Sequence, residues 1–91
     1  MSENRPDPHY SVRDWWTRRW EKIDPESGQR RFYTVDLRQD LWGQWILTKA
    51  WGRIGQRPSR VVKEVVFDAN HADSVLSDVA KTRLKHGYRE C

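Results

Sequence analysis

The apolar residues of this chain change their period once, and that change limits the fold more than any other feature. From Arg31 to Arg38 they alternate, with Tyr33, Val35 and Leu37 against Thr34, Asp36 and Arg38, which is the pattern of a half-buried antiparallel strand. Trp45 and Leu47 against Thr48 resume the pattern toward Trp51. Val61 to Phe67 follows as a further strand, with Val62, Val65, Val66 and Phe67 available to a core. Beyond Asp68 the spacing becomes helical: Ala72, Val75, Leu76, Val79, Ala80 and Leu84 form one stripe about 100° wide. Strands followed by one amphipathic helix predict an α+β fold, an antiparallel β-sheet of four to five strands with one C-terminal amphipathic helix packed on one face. The opposite face is then left open, and a binding surface is expected there.

The punctuation agrees. Asp24-Pro25-Glu26-Ser27-Gly28 is a hairpin turn, and a second loop is expected around Gln39 to Gly43. Gly52 and Gly55, flanking Arg53 and Ile54, suggest a bulge or tight corner, so parity does not say which face carries Trp51. Asp68 is placed to cap the helix N-terminus, Gly87 to end it, and Tyr88 to fold back on its last turn. Lys81, Arg83 and Lys85 lie where the helix dipole favours cations. Residues 1–14, with Pro6 and Pro8 and no apolar period, are read as a disordered tail, and residues 15–91 as the domain.

A chain of 91 residues holds one core, and its six tryptophans supply the bulk of it. Trp42 and Trp45 are expected in that core, whereas for Trp51 core and contact surface remain equally open. The one cysteine, Cys91, rules out an intrachain disulfide. No apolar run approaches the roughly 18 residues of a membrane span, and the polar N-terminus lacks a signal-peptide core, so a cytoplasmic protein is expected. His9, His71, His86 and Cys91 have no zinc-like spacing, and Asp36 and Asp40 have no acid–base partner. Neither an enzyme, a cofactor, a metal nor a small-molecule substrate is expected.

Charge is distributed unevenly. Between Asp40 and Glu64 there is no acidic residue but there are five basic ones, Lys49, Arg53, Arg57, Arg60 and Lys63. The other residues carry 12 basic and 13 acidic side chains, so the net charge of +4 belongs to this segment. Such a cluster reads either as an anion footprint or as a solvated strand-and-loop face.

The segment also contains Trp51-Gly52-Arg53-Ile54-Gly55. Together with Arg31-Phe32-Tyr33, Asp40-Leu41-Trp42-Gly43, Trp45-Ile46-Leu47, Phe67 before the helix and Gly87-Tyr88 after it, this order of landmarks resembles the WGR domain from about Trp20 to Tyr88. The resemblance implies a non-catalytic module that binds nucleic acid, DNA ahead of RNA, with DNA ends among its targets. Similar domains in poly(ADP-ribose) polymerases help bind DNA breaks, and bacterial versions occur alone. It further implies Trp51 as the aromatic lying against a terminal sugar or base, Gly52 as a point of close approach, and Arg53 as the contact to nucleic acid or a neighbouring domain. Lys49, Arg57 and Arg60 are expected to add phosphate contacts. Where the family often has a glycine-rich loop, this chain has Gln56-Arg57-Pro58-Ser59-Arg60, and Arg83 stands where a lysine is more usual. The competing expectation is a protein-interaction domain that docks a partner through the Trp51 and Arg53 face.

Overall fold

The computed structural model describes residues 11–91. Five strands, β1 (Trp16–Asp24), β2 (Gln29–Gln39), β3 (Trp45–Arg53), β4 (Arg60–Val66) and β5 (Arg89–Glu90), form one antiparallel sheet in the order β4-β3-β2-β1-β5. One helix, α1 (Ala69–Lys85), precedes β5. The α+β fold expected from the change of period is therefore the fold observed.

The core lies between α1 and one sheet face. Trp20, Val35, Leu37, Leu47 and Val66 from the sheet meet Ala72 and Val79 from the helix and Tyr88 beyond it. The helix stripe reaches this core through Val75, Leu76 and Ala80, whereas Leu84, expected in the stripe, is exposed in the last turn. The Asp68 carboxylate accepts from the His71 backbone N–H at 2.9 Å, capping the helix as expected. At the other end Gly87 takes φ +86°, and the Tyr88 N–H reaches back to the Arg83 carbonyl at 2.9 Å. That closure satisfies a terminal carbonyl and turns the buried Tyr88 under the helix. It also delivers Arg89 and Glu90 to the edge of β1, where Glu90 pairs with Arg18, whose guanidinium holds the Glu90 carboxyl below its usual range.

Four further expectations change. Val65, expected to be available to the core, lies on the face opposite α1 and is 63% exposed. Trp42 was expected in the core but is 79% exposed. It sits at the tip of the β2–β3 connection, where the Asp40 carboxylate accepts from the Trp42 and Gln44 N–H groups at 2.9 Å each and closes the loop beyond the sheet. Phe67 is 90% exposed because β4 stops at Val66; its N–H bonds His71 Nδ1 at 3.1 Å and its ring rests against that imidazole. Gly52 marks no bulge: the β2–β3 register runs unbroken from Arg31↔Arg53 to Gln39↔Trp45, and the corner is at Gly55, with φ +85°.

Most of the expected tail falls outside the described residues. Its end falls within them: Val12–Asp14 form a 3-10 turn, and Gln39 Oε1 accepts from the Ser11 N–H and from Trp15 Nε1. No helix among the described residues is long and apolar enough to cross a membrane.

Candidate nucleic-acid interface

Regular register assigns every strand residue to a face, because directly paired residues share a side and the side alternates along each strand. Leu47 is in the core, so Lys49, Trp51 and Arg53, which follow it by twos on β3, lie on the same side as α1. The residues expected to gather on the face opposite the helix therefore lie on the helix side instead. On that opposite face the polar groups largely satisfy one another: Thr17 donates to Asp36 at 2.7 Å, Arg19 pairs with Glu21 at 2.9 Å and stacks over the buried Phe32.

Trp51 sits on the helix side, beside the end of α1 at which the chain turns into β5. Its indole stacks parallel on Tyr33, with centroids 5.3 Å apart and planes within 4°, while Trp20 meets Tyr33 edge-on. The Arg83 guanidinium, from the last turn of α1, lies 4.3 Å from the Tyr33 centroid and 5.0 Å from that of Tyr88. Its Nε is buried without a hydrogen-bond partner, held by rings rather than by acceptors. The result is a supported aromatic step whose outermost member, Trp51, is half-buried and half-open.

Cations border this step. Arg60 is the cross-strand partner of Trp51 on β4. One row further out, Lys22, Arg31 and Arg53 stand directly opposite one another on β1, β2 and β3. None of these four makes an ion pair among the described residues. Like charges placed directly opposite on a sheet repel and destabilise it. A row of three is an arrangement that a bound polyanion would relieve.

The other expected residues fall elsewhere. Lys49 is one row inward, paired with Glu64 at 2.9 Å. Arg57 is exposed in the β3–β4 loop, and Gly52 is buried on the face opposite the helix. There the loop folds back: Ser59 donates from N and from Oγ to the Trp51 carbonyl, at 2.9 and 3.1 Å. A Cβ on Gly52 would lie 2.8 Å from Ser59 N and 3.3 Å from Pro58 Cα, so the glycine admits this chain's own loop. Gly52→Ala is expected to cost at least about 1 kcal/mol in urea denaturation, because backbone on both sides has to move.

Sequence reasoning did not name Lys22, Arg31 or Tyr33 as site residues, and it treated Arg83 as a helix-end charge and a departure from the family pattern. The alternation already placed Arg31 with Tyr33; it was the partnership with Arg53 and Trp51 that required the register.

The site is thus an aromatic step on the helix side of a small antiparallel sheet, bordered by cations that make no ion pair among the described residues. The chain belongs to the WGR domain family, whose model matches residues 16–91. WGR domains are small, non-catalytic nucleic-acid-binding modules. The chain is also similar to the uncharacterized protein y4dW of Sinorhizobium fredii, 29% identical over 69 residues that cover 76% of this chain and 33% of that one. It thus spans about a third of the length of this curated relative. No solved structure matches it.

Proposed function

We propose that this chain binds DNA, with a preference for strand ends, through the Trp51 step and the cations around it. The observation that carries this reading is the row Lys22–Arg31–Arg53, three like charges held opposite one another beside Arg60 and the open indole. Guanidinium forks suit phosphate oxygens, and the row spans three strands in the manner of a backbone track. The indole adds the end preference. Inside a duplex every base face is already stacked, and a terminus leaves one free to lie on Trp51. The choice of DNA over RNA and of ends over internal sites draws on the family resemblance. Arg53 and Arg60 serve as phosphate contacts, Arg57 as an outlying one, Lys49 as an inner cation, and Gly52 as the support of the loop. The competing protein-docking reading shares Trp51 and Arg53 but gives no role to a repelling row of cations.

The test is a salt titration of a labelled blunt duplex against the same duplex closed by hairpins at both ends. Four phosphates neutralised by Lys22, Arg31, Arg53 and Arg60 give a slope of log K against log salt near about −3.6. The open duplex is expected to bind more tightly than the closed one. Absence of binding at about 50 mM salt removes the proposal, and a stoichiometric protein partner retained at high salt after nuclease treatment replaces it.

A further inference from the structure

Next to the aromatic step, between α1 and strands β2 to β4, lies a cleft of about 380 Å³. Its size falls in the range of small-ligand sites, roughly 300–1,000 Å³. Tyr33, Lys49, Glu64, Asp78, Thr82 and Arg83 line it. Tyr33 and Arg83 are thus shared: they support Trp51 on one side and wall the cleft on the other. Lys49 and Trp51 are two residues apart on one face of β3, about 6.6 Å along the strand, so the cleft opens within one nucleotide's reach of the indole.

The cleft differs in chemistry from the cationic row. Two carboxylates, Glu64 and Asp78, stand among its lining groups, and they repel phosphate. Glu64 is occupied by Lys49, whereas Asp78 makes no ion pair among the described residues. A carboxylate only accepts hydrogen bonds, and Lys49 and Arg83 only donate. A neutral ring with donors on one edge and acceptors on another matches both. Guanine has that pattern, with amino and ring N–H donors toward Asp78 and O6 and N7 acceptors toward the cations.

We propose that this cleft takes the base of one unpaired guanine nucleotide, so that a strand end with a single-nucleotide overhang binds better than a blunt end. The inference rests on the DNA-binding reading of the neighbouring step and extends it to the form of the end. The same base chemistry exists in a free nucleotide, which the experiment separates from a strand end.

Fluorescence anisotropy with the full chain tests it, using one duplex with a blunt end, with one unpaired guanine nucleotide or with one unpaired thymine nucleotide. Guanosine monophosphate serves as a separate titrant. The guanine overhang is expected to bind about tenfold more tightly than the blunt end, the thymine overhang less so. Asp78→Ala, on the exposed side of a helix that alanine favours, is expected to erase the advantage of guanine over thymine without lowering blunt-end affinity. Binding of guanosine monophosphate without an overhang gain keeps the base site and assigns it to free nucleotides. Equal affinity for all three ends with no binding of the mononucleotide overturns the cleft and leaves the Trp51 reading standing. Failure of every duplex and of the mononucleotide to bind overturns both.

Discussion

Trp51→Ala is expected to weaken blunt-end binding by roughly 1–3 kcal/mol, about fivefold to a hundredfold, and to reduce the difference between open and hairpin-closed duplexes. The effect is assigned to lost stacking because the surroundings of the indole are independently held. Tyr33 keeps its contacts with Trp20 and Arg83 when Trp51 is removed, and the cationic rows do not depend on it. The parallel stack with Tyr33 contributes about 1 kcal/mol to stability, so the variant is expected to stay folded. Trp42→Ala is the matched control. It removes an indole that is 79% exposed at the β2–β3 tip, and affinity is expected not to change. Competition anisotropy with both variants checks the pair. An unchanged Trp51→Ala would show that the indole contributes packing alone.

Trp20→Ala is expected to be the most damaging single substitution to the fold. Trp20 is 2% exposed in the centre of β1, in the core cluster that also holds Tyr88, and meets Tyr33 edge-on. Truncating a buried tryptophan costs about 3–5 kcal/mol, and a domain of this length has roughly 5–14 kcal/mol in total. The urea midpoint should fall by at least about a fifth. Binding should fail with it, since Tyr33 then loses the edge contact that helps to hold the step. Circular dichroism followed through urea checks this, and a midpoint within error of the parent would contradict the assigned core.

These two tryptophans show where sequence patterns carry structural information and where they stop. Val35, Leu37 and Leu47 reach the core because alternation and burial coincide in central strands, whereas Trp20 was marked only as bulk for the core. Asp68 and Gly87 acted as written because caps are local chemistry. Trp42 and Phe67 are apolar residues at positions where burial depends on what lies overhead, and both stay exposed, Phe67 with the His71 imidazole against its ring. The face of Trp51 was left open for another reason. Two nearby glycines imitated a break in the strand, although counting by twos from Leu47 places Lys49, Trp51 and Arg53 on the core side. The cationic row was hidden more deeply, since Lys22, Arg31 and Arg53 are distant in sequence and meet only through two registers.

The most direct test of the central claim is a duplex titration that follows the indole N–H resonances of the six tryptophans, together with the amides of β2 and β3. The Trp51 indole and the amides of Arg31 and Arg53 are expected to shift, while the Trp42 indole at the far end of the sheet stays in place. Movement of Trp42 with Trp51 stationary would place the interface at the β2–β3 tip and contradict the account.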